Sequence, residues 1–133
     1  TITTNKRTIA ADSFFTGIFS TALQAGEIIT SVTFPKAKRG AYMKFKNPAS
    51  RYAIVGVFVA ESSSGVRVAV TGAGPCVYRV PEMEKALTAK WAPESVANIK
   101  VSDKGLNSDI HASNEYRAHL VTIMAKRAVA AAK

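Results

Sequence analysis

The segment that most constrains this chain is YAIVGVFVA, Tyr52 to Ala60, nine residues with no charge and near-continuous apolar character. Such a run reads as a strand buried on both faces, which places it in the middle of a sheet. Ser62 to Gly65 is a turn, and beyond it Val66, Val68 and Val70 alternate with Arg67, Ala69 and Thr71. Period-two alternation after a short turn predicts an antiparallel hairpin partner for the central strand. Upstream, AYMKFKN between Gly40 and Asn47 sets Tyr42, Lys44 and Lys46 on one face against Ala41, Met43 and Phe45 on the other. The β-branched run EIITSVTF from Glu27 to Phe34, stopped by Pro35, supplies a fourth candidate strand. Lys36 to Gly40 reads as a basic turn, and Pro48 to Arg51 as a loop.

Helical signals follow the strands. Asp12 is placed to cap a short turn over Ser13 to Gly17, with Phe14, Phe15, Ile18 and Phe19 expected in a core. Pro81 followed by EMEKAL has proline and acids where a first helical turn favours them. Pro93 and Glu94 open a second helix expected to run through Ile99. The long one starts after Ser113, with Glu115 in its first turn, Tyr116, Leu120, Ile123 and Met124 on one face, and Lys126 and Arg127 near its end. Strands first and helices last predict an α+β domain: an antiparallel sheet of about four strands with C-terminal helices on one face. At 133 residues with no repeat or low-complexity tract, the chain reads as a single domain over 1–133.

Composition excludes several classes. Hydrophobic residues make up 47% and charged residues 20%, which argues against disorder. No apolar stretch approaches the ~20 residues of a bilayer-spanning helix. The opening TITTNKRTI has no apolar core or cleavage site of a signal peptide, so a cytoplasmic location is expected. One cysteine, Cys76, permits no internal disulfide and no multi-cysteine metal site, and neither His111 nor His119 has a ligand partner at recognisable spacing, so no metal site is predicted. No catalytic residue is assigned: Asp109, His111 and Ser113 fall within five positions, where a capping and turn role outweighs a triad. TGAGP from Thr71 lacks the third glycine and the helix start of a dinucleotide fingerprint, and a tight reversal explains it better.

Net charge is +9, and eight basic residues against two acids lie in the first 51 positions. That surplus fits a solvated strand face or one that meets an anionic cofactor or partner, and keeps open a free-standing basic module that binds an acidic protein or nucleic acid. Nucleic acid is the less favoured of these, because no interleaved aromatic pattern or groove-entering helix is visible.

An ordered set of fragments goes further. It comprises Asp12-Ser13-Phe14-Phe15-Thr16-Gly17, Thr21-Ala22-Leu23, Gly26-Glu27-Ile28-Ile29 through Phe34-Pro35, Ala41-Tyr42 with Phe45-Lys46, and Tyr52-Ala53-Ile54-Val55-Gly56. Thr71-Gly72-Ala73-Gly74 and Asp109-Ile110-His111-Ala112-Ser113 with Glu115-Tyr116-Arg117 complete it. From about Arg7 to Ala131 the chain resembles the C-terminal domain of the FAD-binding medium subunit of the carbon monoxide dehydrogenase and xanthine dehydrogenase family of molybdenum hydroxylases. The resemblance implies a module of an oxidoreductase complex, beside an N-terminal FAD domain of the same subunit, an iron-sulfur small subunit and a molybdopterin large subunit. Electrons would pass from the clusters to FAD and on to an acceptor. The glycine-rich loops that grip the FAD pyrophosphate belong to the N-terminal domain and are absent here, so the isolated chain is expected to hold FAD very weakly and to turn nothing over. Two residues carry over as flavin contacts: Ile29, packing on the isoalloxazine, and Lys46, near the polar edge of the ring. Read without the resemblance, Ile29 is a core strand residue and Lys46 a solvated strand end. Asp109, Tyr116 and Arg117 are expected to fix the start of the last helix, for example by an Asp109 to Arg117 ion pair or a packed tyrosine, in a role of structure or subunit contact.

Overall fold

In the computed structural model, which describes residues 1–133, the first strands are short: β1 (Ile2–Thr4), β2 (Thr8–Ile9), β3 (Phe15–Gly17), β4 (Ser20–Thr21) and β5 (Ile29–Val32). The sheet β2-β1-β5 is antiparallel, Ile2 opposite both Ile9 and Val32, and β3-β4 is a separate small hairpin. Only Ile2, Ile9 and Phe14 form a buried cluster here, with Ala22 and Leu23 packed against it. A network of polar groups holds the rest. Arg7 Nε donates to Glu27 at 2.9 Å, and the Thr4 hydroxyl donates to the same carboxylate at 2.8 Å.

Several expectations for this stretch are corrected. Asp12 does not cap a turn over Ser13 to Gly17; it sits inside a single 3-10 turn, Ala11–Ser13, that starts after Ala10. The chain then enters β3, because pairing with Ser20–Thr21 outweighs a helical preference with one turn to support it. Of the four apolar residues expected in a core, only Phe14 is buried, while Phe15, Ile18 and Phe19 are exposed. The strand expected over Glu27 to Phe34 is limited to Ile29–Val32, the residues with partners in β1.

The remaining chain builds a larger sheet in the order β6-β7-β8-β9, from β6 (Ala37–Lys46), β7 (Ala53–Ser62), β8 (Gly65–Thr71) and β9 (Tyr78–Arg79), all antiparallel. The predicted central strand is central. Val55, Val57 and Val59 of β7 stand beside Val68 and Val70 of β8 and are fully buried, each stabilising the fold by about 1.5–3 kcal/mol through apolar area removed from water. Three helices cover that face: α1 (Pro81–Ala89), α2 (Pro93–Val96) and α3 (Asn114–Ala131). In α1, Met83 and Leu87 lie one turn apart and are buried. In α3, Leu120, Val121, Met124, Ala125, Ala128 and Val129 make the buried face, and Ser113 caps the start by accepting from the Tyr116 amide at 3.2 Å.

Here too the differences have physical causes. The expected basic turn at Lys36 to Gly40 is strand from Ala37, since Ala37 and Arg39 pair with Ser62 and Glu61 and Arg39 Nε donates to Glu61 at 2.6 Å. The second face of β7 is only partly covered: Phe58 and its neighbour Tyr42 on β6 are exposed there. The segment 29–32 belongs to the first sheet, and the fourth strand of the large one is β9, two residues long and too short to carry a pattern. The helix expected to reach Ile99 ends at Val96. Finally, the sequence shows no boundary within 1–133, whereas the chain divides into two compact units, Thr1–Lys36 and Ala37–Lys133. An antiparallel sheet with helices on one face, as expected of an α+β domain, is the architecture of the second unit.

Candidate functional site

Lys46 is the last residue of β6, exposed, with no hydrogen bond or ion pair on its ammonium. Its backbone stands at an irregularity. Phe45 pairs with Val55 but Lys46 pairs with Ala53, so Ile54 is an extra residue on β7, a bulge. The connecting loop is built by Asn47, whose buried side-chain oxygen accepts from the Ala49 and Ser50 amides at 2.9 and 3.2 Å. This is the local turn that asparagine favours. Its amide donates to the Tyr52 carbonyl at 2.8 Å, and Arg51 closes the loop in a left-handed conformation, φ 62°. Lys44 Nζ donates to the Arg51 carbonyl at 3.0 Å, so one of the two lysines on this face holds the loop and the other is left to solvent.

Behind the loop is a cleft of about 270 Å³ bordered by Asn47, Ser50, Tyr52, Asn107, His111 and Arg117. Arg117 projects from α3 and is only 4% exposed. One of its terminal nitrogens, Nη1, donates to the Ile54 carbonyl at 2.7 Å and to the Gly72 carbonyl at 3.2 Å, while Nη2 pairs with the Asp109 carboxylate at 2.7 Å. Asn107 donates to the carbonyls of Gly72 and Gly74 at 3.2 and 2.9 Å. Asp109 in turn accepts from the amides of His111 and Ala112. The His111 amide bond, the Ala112 bond and the nearby guanidinium hold its carboxyl below the usual range, against the opposing effect of burial. Gly72, at φ 77°, lets this corner close: a Cβ there would stand 2.3 Å from the Ala53 carbonyl oxygen. The glycine run is thus a tight reversal, as its sequence suggests.

The expected Asp109 to Arg117 pair is present. The reach of Arg117 to the carbonyls of Ile54 on β7 and of Gly72 just past β8 was not legible in the sequence, nor was the loop-building role of Asn47, although asparagine before Pro48 is a turn signal. His111 and His119 are exposed, and Cys76 is half-buried and free. Ile29 lies in the first unit at the start of β5, an edge strand whose four residues are all exposed, and is itself 41% exposed. It is therefore not the core residue that a reading from pattern alone expects.

The four-stranded antiparallel sheet is thus closed at one end by an arginine on the last helix. Residues 40–132 match the model of the CO dehydrogenase flavoprotein C-terminal domain, and the chain belongs to that family. The chain is 38% identical over 134 residues to the nicotine 6-hydroxylase medium subunit of Paenarthrobacter nicotinovorans, covering 93% of this chain and 47% of that protein. It is 29% identical over 140 residues to the carbon monoxide dehydrogenase medium chain of Hydrogenophaga pseudoflava, covering 96% and 48%. The solved structure of carbon monoxide dehydrogenase from Hydrogenophaga pseudoflava superposes with a TM-score of 0.72 at 27% identity, over 94% of this chain and 48% of that one. The chain spans about half the length of the curated relatives it matches. No helix is long and apolar enough to cross a membrane.

Proposed function

We propose that this chain is the C-terminal part of the FAD-binding medium subunit of a molybdenum hydroxylase, and that it supplies one wall of the flavin site and contacts to partner subunits. The observation that carries the reading is the family match over 40–132, joined to relatives that are medium subunits of twice the length. The rest of the site would come from an N-terminal FAD domain of the same polypeptide, with an iron-sulfur small subunit and a molybdopterin large subunit as partners, in the cytoplasm.

The residues present suit the ring of the cofactor and not its phosphates. Ile29 offers an exposed aliphatic surface and Lys46 an ammonium without an internal partner, the donor set that the polar edge of an isoalloxazine takes. Nothing equivalent is available for the pyrophosphate, because Gly72 and Gly74 are committed to the corner held by Arg117 and Asn107. The chain alone is therefore expected to retain little FAD. A bound flavin would supply the redox chemistry that joins one-electron delivery from the iron-sulfur clusters to the acceptor. Ile29 would exclude water from the ring face. Lys46 would stabilise negative charge that develops on reduction, which raises the flavin potential.

The test is made in the full-length subunit loaded with FAD. Lys46→Ala should lower the flavin midpoint potential or weaken flavin retention, and no change in either removes Lys46 from the site. Ile29→Asp should eject flavin with the circular dichroism spectrum intact.

A further inference from the structure

We infer that Arg117 is a positioning residue for Lys46: from α3 it fixes the bulge of β7 against which the last residue of β6 is paired. The inference rests on the flavin-site reading of Lys46 and extends it to a side chain more than seventy positions away in sequence.

An extra residue in one strand leaves its backbone outside the regular ladder. Here that residue is Ile54, buried, and its carbonyl is taken by Arg117 Nη1 at 2.7 Å. The same nitrogen reaches the Gly72 carbonyl at the end of β8, and the backbone of Gly72 is pressed against the carbonyls of Ala53 and Ile54, so closely that no Cβ fits between them. Ala53 is the partner of Lys46. The position of the Lys46 backbone, and with it the origin of the ammonium, is thus set by a corner that the guanidinium holds together.

Only a planar fork of donors spans these three acceptors, two carbonyls and the Asp109 carboxylate, at once. Asp109 is itself immobilised by the amides of His111 and Ala112, so the arginine is anchored from behind. Its Nε is buried and makes no hydrogen bond. A buried, incompletely satisfied cation is a poor device for mere cohesion, since apolar side chains of like volume hold a helix to a sheet as well or better. What it supplies is a defined backbone geometry at the end of the sheet where Lys46 stands.

The experiment uses the full-length subunit loaded with FAD and compares Arg117→Met, Lys46→Ala and the double variant by flavin midpoint potential and flavin retention. If Arg117 acts through Lys46, R117M lowers the potential in the same direction as K46A, and the double variant is no lower than K46A alone. Wild-type potential in R117M, with K46A shifted, overturns the inference and leaves the flavin site standing. Additive shifts overturn it too, because they show an independent effect. A K46A variant unchanged in both potential and retention removes Lys46 from the flavin site and this inference with it. Should R117M fail to fold, Arg117→Lys keeps the charge beside Asp109 without the fork: a lowered potential is expected, and an unchanged one overturns the inference.

Discussion

At the scale of single residues, backbone conformation and charge pairing carry the sharpest consequences. Gly72 and Gly105 both have positive φ, 77° and 79°, yet their surroundings differ. Around Gly105 a Cβ meets nothing within 4 Å, whereas at Gly72 it meets a backbone oxygen at 2.3 Å. Gly105→Ala should therefore cost only the left-handed conformation, about 1 kcal/mol. Gly72→Ala should cost on the order of 3 kcal/mol or more, since a backbone oxygen cannot move aside. Chemical denaturation of the two variants checks the contrast. Glu27 offers a pH prediction in the first unit. The Arg7 hydrogen bond, with the Gln24 amide and Thr4, lowers its carboxyl from the ordinary 4.5 to about 2, and burial opposes the shift. A folded value below the unfolded one stabilises at pH above about 4.5, and that contribution disappears as pH falls toward about 2. Protection factors of the β1 and β5 amides, taken against the intrinsic exchange rate at each pH, should fall across that window, and Glu27→Gln should lose the dependence.

At the scale of elements, α3 is specified at both levels. Its cap is local: Ser113→Ala should destabilise by about 1 kcal/mol, measured by thermal unfolding. Its packing is not. Met124 is fully buried in the cluster around Val55, Val57 and Val70, so Met124→Ala should cost about 2–5 kcal/mol. The short elements were hidden from sequence reading for the complementary reason. β3, β4 and β9 have two or three residues each and exist only because a partner strand is present, so no periodicity announces them. The same partner effect extends β6 back to Ala37 through a stretch that reads as a basic turn, with Arg39 both paired to Glu61 and stacked 4.2 Å over the Trp91 ring.

For the whole molecule, the two units differ in what supports them. The buried cluster of Ala37–Lys133 draws on a sheet and three helices, while that of Thr1–Lys36 has three buried side chains. Segments below about 40 residues seldom fold alone without a staple. Residues 37–133 expressed alone should therefore unfold cooperatively on heating, and a peptide of residues 1–36 should show no such transition, a comparison that circular dichroism makes directly.

What the sequence determined by itself is what periodicity and local chemistry encode: the buried run of β7, its hairpin with β8, the proline and serine starts of α1 and α3, and the α+β order. Those signals lie within a few residues of one another, where alternation, capping and turn preference act. The family likeness, spread over many short blocks, was legible as well. The tertiary structure decided which strands share a sheet, which aromatic residues stay outside, and where Arg117 ends. Its carbonyl partners, Ile54 on β7 and Gly72 just past β8, lie 63 and 45 residues away, and a hydrogen bond across such separations exists only once the sheet has brought those backbones together.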